Sequence, residues 1–274
     1  MTPSRIELAY SDAGSGPAVI LLHGYPFDRS MWREQIDFLS ANGFRVVAPD
    51  LRGFGGVVAQ TSVCEPSEID YRPKSVSLTT MADMAGDIAA LMDTLKIDHA
   101  VICGLSMGGY VAFEFVHLFP RRVQALVLAG TRAPADNEQE RQARLQQVEQ
   151  MLAKGMSGIA EASLPKLLAP RTLAEKPDVV SRLREMILRA DPRGAAAAQR
   201  GMAARRDYSN ELSNINIPTL VIVGRDDPIR PVADAKFMHD RIRESSLKII
   251  EDAAHMTNME QPEVFNQALK KFLD

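Results

Sequence analysis

The sequence predicts an α/β protein whose mostly parallel, doubly wound sheet is interrupted by an inserted helical segment. Short runs of consecutive aliphatic residues alternate with helix-period segments before residue 132 and again after residue 213, whereas no strand-like run occurs between them. Strands joined through helices form parallel sheets that are buried on both faces. We therefore predict a core domain formed by residues 1–131 and 214–274 and a helical cap, or lid, formed by 132–213.

Six apolar runs are the predicted parallel strands, and each is closed by residues typical of turns. They are AVILLHG, FRVVAPD, HAVICG, ALVLAG, TLVIVG and LKIIED. IELAYSDAG, near the start, alternates apolar and polar residues and is a candidate antiparallel edge strand. Between strands, TTMADMAGDIAALMDTL has apolar residues at helical spacing, and Thr80 followed by Asp83 predicts a capping box at its start.

The inserted segment has the pattern of consecutive helices. ERQARLQQVEQMLAKG, KPDVVSRLREMILRA and GAAAAQRGMAARRD are helix-like stretches, punctuated by Pro165, Pro170, Pro177 and Pro192. We expect both ends of the insertion to emerge at the carboxyl ends of the strands, where ligands bind in open α/β sheets. A lid over a binding site is the favoured interpretation, and a helical extension without a role in substrate binding is the alternative.

Composition excludes several classes of function. Lys and Arg number 32 against 35 Asp and Glu, so the net charge of −3 gives no reason to expect nucleic acid or an anionic membrane as a partner. No apolar run approaches the roughly 20 residues that span a bilayer, and the N-terminus lacks the pattern of a signal peptide. With two cysteines, Cys64 and Cys103, and no metal-ligand spacing, we expect neither metal nor cofactor. A cytoplasmic monomer or homodimer is expected.

Residues 103–109, CGLSMGG, contain the pattern G-x-S-x-G between a predicted buried strand and the helix-like stretch YVAFEFVHLF. That strand–turn–helix context is the one in which a serine becomes an exposed nucleophile. Gly104 and Gly108 relieve clashes at the tight turn, and the following helix N-terminus favours negative charge beside Ser106. A loop that happens to carry a serine is the alternative interpretation.

A serine nucleophile requires a histidine base and a carboxylate that orients it. Among the five histidines, His255 in EDAAHMTN follows the last predicted strand and is the preferred base, whereas the others precede a strand, lie in helical stretches or have structural positions. For the carboxylate, VGRDDPIRP offers Asp226 and Asp227, and Asp136 is a distant second choice.

The oxyanion formed during attack on a carbonyl also needs hydrogen-bond donors. The backbone N–H of Met107 stands at the start of the helix after Ser106, and HGYP supplies the N–H of Tyr25 after an earlier strand. Both groups belong to the backbone.

The chain resembles the α/β-hydrolases in the segments HGYPFDRSMW, APDLRGFG, GLSMGG, VGRDDPIRP and AHMTNMEQPEVF. Within them it is similar to the serine-hydrolase branch that includes carboxylesterases and 3-oxoadipate enol-lactonases. The resemblance implies that the acid stands three residues after Gly224, which selects Asp227 over Asp226. It also disfavours the dehalogenases and epoxide hydrolases of the family, which have aspartate where this chain has Ser106.

The chemistry that the resemblance implies is hydrolysis of a carboxylic ester or lactone through an acyl-enzyme, without metal or cofactor. Hydrolysis of carbon–carbon bonds, perhydrolysis and a receptor role without turnover are the alternatives. Apolar cap residues fit an acyl pocket, and an inward Arg132 or Arg205 would fit an anionic substrate, although packing and solvated helix faces also explain these residues. The 56–78 loop is longer and more polar than the family's pattern and is either a surface elaboration or part of the entrance.

Overall fold

Seven strands form one sheet in the order β1-β3-β2-β4-β5-β6-β7. The computed structural model describes residues 7–55 and 78–274, so Cys64 and nearly all of the 56–78 loop lie outside the described residues. The strands are β1 (Tyr10–Ala13), β2 (Ala18–Leu22), β3 (Arg45–Pro49), β4 (Ala100–Leu105), β5 (Val123–Ala129), β6 (Thr219–Gly224) and β7 (Ser245–Ile250). All neighbours pair in parallel except β1, which is antiparallel to β3. The predicted fold class is confirmed.

Burial explains the apolar runs of the strands inside the sheet, whereas the second edge strand, β7, is buried only at Ile250. Every residue of β2, β4 and β6 is buried, because helices cover both faces of the central sheet. The edge strand β1 is half exposed. Trp32 is fully buried and packs against Phe265 with ring centroids 6.0 Å apart, so it belongs to the core.

The helices of the core lie on both sides of the sheet, with α2 packed on α3 and α1 packed on α11. Their bounds are α1 (Arg33–Ala41), α2 (Met81–Thr94), α3 (Met107–Leu118), α9 (Val232–His239), α10 (Thr257–Glu260) and α11 (Pro262–Leu273). The predicted capping box is present at α2, where the side chains and backbone N–H groups of Thr80 and Asp83 bond reciprocally.

Five helices lie between β5 and β6: α4 (Glu138–Lys154), α5 (Ser157–Leu167), α6 (Pro170–Glu175), α7 (Pro177–Arg189) and α8 (Pro192–Ala203). Proline begins α6, α7 and α8, where its missing N–H costs no helical hydrogen bond. Pro165 does not interrupt the helices as its position had suggested. It lies inside α5, two residues before the end of that helix and exposed to solvent, where water can bind the carbonyl that a proline leaves unpaired.

Helix α8 rests directly on the backbone of the core. The N–H of Thr79 donates to the carbonyl of Ala197 at 3.3 Å. A side chain at Gly194 would overlap the backbone of Gly53, and a side chain at Gly201 would overlap the carbonyl oxygen of Thr79. The absence of a Cβ at these two helical positions therefore sets how closely the inserted helices approach the sheet.

A buried carboxylate ties the two ends of the insertion together. Asp136, between β5 and α4, forms ion pairs with Arg132, with Arg144 of α4 and with Arg205 just after α8. Burial alone would raise the pKa of Asp136, but the hydrogen bonds and charges of Arg144 and Arg205 lower it to about 2. Ionised Asp136 therefore stabilises the folded state.

We expect Gly201→Ala to lower the free energy of unfolding by about 1–3 kcal/mol, because the added methyl group forces α8 away from Thr79. Urea denaturation followed by circular dichroism measures the change. Gly86→Ala is the matched control, since Gly86 lies inside α2 with open space around it and alanine favours the helix there. Equal stability of the two variants would contradict this account of the α8 contact.

The Asp136 ion pairs predict a pH-dependent stability. Because the folded-state pKa of Asp136 lies below the ordinary value, its contribution is present above about pH 4 and is lost as the pH falls through about 2. We expect Asp136→Asn to cost at least about 2 kcal/mol at pH 7 and progressively less on acidification. Urea unfolding of both proteins between pH 7 and pH 3, with the exposed Glu138→Gln as control, tests this. A difference that stays constant with pH would refute it.

Candidate active site

Ser106 occupies a strained turn between β4 and α3. Its backbone has φ 55° and ψ −111°, a left-handed conformation that residues with a side chain seldom adopt. The N–H of Ser106 donates to the carbonyl of Ala129 at 2.9 Å, and the hydroxyl of Thr131 donates to the carbonyl of Ser106 at 2.9 Å. Strand β5 and the residues after it therefore hold the turn in place.

The glycines beside Ser106 are required by close backbone packing. A Cβ on Gly104 would overlap the carbonyl of Gly108, and a Cβ on Gly108 would overlap the carbonyl of Leu22 at the end of β2. The first glycine lets α3 fold back on β4, and the second lets that helix lie against the neighbouring strand. The geometry agrees with the strand–turn–helix prediction for this segment.

His255 and Asp227 form a buried pair at the same edge of the sheet. His255 Nδ1 lies 2.7 Å from Asp227 Oδ2, and both side chains are almost completely buried. The other oxygen of Asp227 accepts the N–H groups of Ile229 at 2.8 Å and Arg230 at 2.9 Å. Because a carboxylate only accepts, the pairing places the imidazole hydrogen on Nδ1 and leaves Nε2 as an acceptor.

The alternative carboxylates lie elsewhere. Asp226 is exposed, and its N–H donates to the carbonyl of Ala253 at 3.0 Å. Asp136 forms ion pairs with Arg132, Arg144 and Arg205. The structure thus brings Asp227, and neither alternative, to His255.

His23, a competing histidine, has a structural position. It is fully buried at the end of β2, its Nε2 accepts the N–H of Leu51 at 2.9 Å, and its Nδ1 lies 2.8 Å from the carbonyl of Gly24. Burial lowers the pKa of His23 and favours the neutral ring. Both ring nitrogens are therefore occupied by backbone groups.

A cavity of about 280 Å³ brings Ser106, His255 and Tyr25 together beneath the inserted helices. Helices α4, α5 and α8 supply most of its wall. The lining residues from these helices are Arg144, Gln147, Gln150, Gly158, Ile159, Ala162, Ser163, Lys166, Leu167, Gln199 and Met202.

The two backbone donors expected at this site lie beside the cavity. Met107 begins α3, where the first N–H groups of a helix have no partner within the helix. Tyr25 follows the end of β2 and lines the same cavity as Ser106. The N–H groups of both residues are thus available at the carboxyl end of the central strands.

For Arg132 and Arg205, the structure supports the packing interpretation rather than a contact with substrate. Arg205 is buried against Asp136 and over the ring of Tyr110, and Arg132 pairs with Asp136 and Glu140. The arginines that line the cavity are instead Arg144 and Arg230. Sequence reasoning missed them because neither the helix pattern around Arg144 nor the loop sequence around Arg230 tells which arginines line a cavity.

Glu260 is a second residue that sequence reasoning missed. This fully buried side chain accepts the N–H of Ala254, beside His255, at 2.8 Å and the N–H of Ala169, in the insertion, at 2.7 Å. The N–H of His255 itself donates to the carbonyl of Leu167 at 3.1 Å. Burial raises the pKa of Glu260 although these donors oppose the change. Glu260 therefore joins the loop that carries His255 to the inserted helices.

We expect Glu260→Ala to lower the free energy of unfolding by about 2 kcal/mol or more, because it leaves two buried N–H groups without acceptors. Thermal and urea unfolding measure the change. Glu263→Ala, which removes an exposed carboxylate at the start of α11, is the matched control. Equal destabilisation by the two substitutions would show that Glu260 does not join these segments.

Comparison with known proteins agrees with the fold. A family model described as the alpha/beta hydrolase fold matches residues 17–262. The 3-oxoadipate enol-lactonase 2 of Acinetobacter baylyi is 31% identical over 98% of this chain and 94% of its own length.

Solved structures give the same result. A thermophilic esterase from Thermogutta terrifontis, solved with malate bound, is 40% identical and superposes with a TM-score of 0.90 over 100% of this chain and 95% of its own. The enol-lactonase from Burkholderia xenovorans LB400 is 28% identical, with a TM-score of 0.83 over 97% of this chain and 96% of its own. The chain therefore belongs to the α/β-hydrolase family.

Proposed function

We propose that the protein is a serine hydrolase that cleaves a carboxylic ester or a lactone through an acyl-enzyme on Ser106. The observation that carries the proposal is the shared cavity of Ser106 and His255, with His255 held by the buried Asp227 at 2.7 Å. The similarity to enol-lactonases and to an esterase supports the same reaction class.

In the proposed mechanism, Nε2 of His255 takes the proton of the Ser106 hydroxyl as its oxygen attacks the substrate carbonyl. Asp227 keeps the ring oriented and stabilises the imidazolium that forms. The N–H groups of Tyr25 and Met107 would donate to the oxyanion, and losing one such donor typically costs about 3 kcal/mol of transition-state stabilisation.

The second half of the reaction uses the same groups in reverse order. His255 returns its proton to the leaving alkoxide, and the acyl group remains on Ser106. Water then gives a proton to His255 as it attacks the acyl carbon. The bond between the acyl carbon and the oxygen of Ser106 breaks, His255 returns the proton to that oxygen, and the carboxylic acid is released. For a lactone, the leaving oxygen stays attached to the acyl group, so ring opening yields a single hydroxy or keto acid.

We further propose that residues 132–213 act as a cap that shapes the substrate cavity. The supporting observation is that α4, α5 and α8 supply most of the wall around Ser106. The hydrogen bond from His255 N–H to Leu167 also attaches this segment directly to the loop of the base. A cap of this kind would shield the bound ester and the reacting groups from bulk water.

We expect Ser106→Ala to lower the hydrolysis of p-nitrophenyl butyrate by about 10³-fold or more, and Asp227→Asn by about 10²- to 10⁴-fold, because both act on one proton transfer. Steady-state kinetics measures these losses. Asp226→Asn is the matched control at the neighbouring exposed position and should retain activity.

A fluorophosphonate should add its phosphonyl group to Ser106 of the wild type and not to the Ser106→Ala variant, as measured by intact mass and peptide mapping. Hydrolysis that survives Ser106→Ala would refute the acyl-enzyme. A folded protein that is labelled but turns over neither esters nor lactones would indicate a receptor.

A further inference from the structure

Arg230 is a buried guanidinium in the wall of the cavity of Ser106. Only 8% of the residue is exposed. Its Nε and Nη2 donate to the hydroxyl oxygen of Tyr110 at 3.1 Å and 2.6 Å, and its Nη1 donates to the carbonyl of Ile229 at 2.6 Å. A guanidinium has five N–H groups, so these three bonds leave two N–H groups without a partner among the residues that the structure describes.

Tyr110 is the hydrogen-bond partner of Arg230 in this contact. It lies in the first turn of α3, where its N–H donates to the carbonyl of Ser106 at 3.3 Å, and it too lines the cavity. Because its oxygen already accepts two hydrogen bonds from Arg230, its O–H is available as a donor to another group. Tyr110 and Arg230 together offer three donors, and neither offers a free acceptor.

The charges around this pair do not cancel locally. Of the neighbouring arginines, Arg132, Arg144 and Arg205 all pair with Asp136, and Arg132 also pairs with Glu140. Arg230 has no carboxylate within 4 Å among residues 7–55 and 78–274, and its charge is felt by Asp234 only at longer range.

The nearby guanidinium groups also act on the hydroxyl of Tyr110. Burial alone would raise the pKa of Tyr110, but the charges of Arg230, Arg205 and Arg144 lower it below its ordinary value. The guanidinium of Arg205 also lies 4.2 Å from the centroid of the tyrosine ring. This side of the cavity is therefore positive as well as rich in donors.

We propose that Tyr110 and Arg230 form a subsite for a carboxylate carried by the substrate, so that the reaction at Ser106 selects esters or lactones with an anionic group. A buried cation without a carboxylate partner is costly, and a carboxylate with two oxygens would accept the three free donors. This inference rests on the proposed function, because the subsite can select substrates only if an ester or lactone bond is cleaved at Ser106.

The test compares substrates that differ in charge. Monomethyl adipate and methyl valerate present similar acyl chains with and without a carboxylate, and 4-acetoxybutyrate carries the carboxylate on the alcohol side. We expect wild-type kcat/KM to favour one of the two anionic esters over methyl valerate by about 10- to 100-fold, the effect of one charge-assisted contact. Proton release in a pH-stat measures each rate.

Arg230→Gln should lose most of this preference, lowering kcat/KM for the favoured anionic ester about 10-fold more than for methyl valerate. Arg230→Lys, which keeps the charge, should restore part of it, and Tyr110→Phe should show a smaller loss of the same kind. Arg225→Gln is the matched control, since Arg225 lies in the same loop but is exposed and pairs with Glu251 at 2.7 Å. Equal losses on charged and neutral esters, or no wild-type preference, would overturn the subsite.

Binding without turnover separates this inference from the proposed function. Calorimetric titration of glutarate into the Ser106→Ala protein should give saturable binding that Arg230→Gln weakens about 10-fold or more. Glutarate binding without hydrolysis of any ester would leave the subsite standing and refute the acyl-enzyme. Ester hydrolysis with neither glutarate binding nor charge preference would support the acyl-enzyme and refute the subsite.

Discussion

The left-handed turn at Ser106 is the constraint on which the site depends. A side chain is held at φ 55° only because neighbouring elements restrain the backbone on both sides: Ala129 accepts the N–H of Ser106, and Thr131 donates to its carbonyl. Gly104 and Gly108 permit the contact of α3 with β4 and β2 that a Cβ would prevent. The strain is therefore balanced by packing at the centre of the sheet, and the hydroxyl is presented at the carboxyl end of the strands.

The imidazole of His255 is positioned by a different set of contacts. Asp227 is fixed by two backbone N–H groups of its own loop and orients His255 from one side. Glu260 and Leu167 hold the backbone around His255 from the other side, and both connections reach the inserted helices. The position of the imidazole therefore depends on the docking of the insertion as well as on the sheet. Movement of the inserted helices, which form the cavity wall, would shift the ring of His255.

The electrostatics of the insertion follow from one buried carboxylate. Asp136 binds three arginines from the two ends of the insertion and so neutralises part of a strongly positive region. Arg230 lies beyond this cluster and has Tyr110 as its side-chain partner. Within the part of the chain that the structure describes, the guanidinium of Arg230 therefore forms no ion pair with a carboxylate, and in the proposed subsite the substrate would supply that charge.

The sequence by itself determined the fold class, the order of the strands along the chain and the segment that carries Ser106. Buried parallel strands need apolar runs, and the tight turn needs glycine at Gly104 and Gly108. The strands and the turn can therefore each be predicted from a few consecutive residues. Asp227 could be separated from Asp226 only through the resemblance to a family, since two adjacent aspartates look alike locally. The tertiary structure alone decided that Arg144 and Arg230, rather than Arg132 and Arg205, line the cavity. Which way an arginine turns depends on partners far away in the chain, such as Tyr110 for Arg230, and no local pattern encodes such contacts.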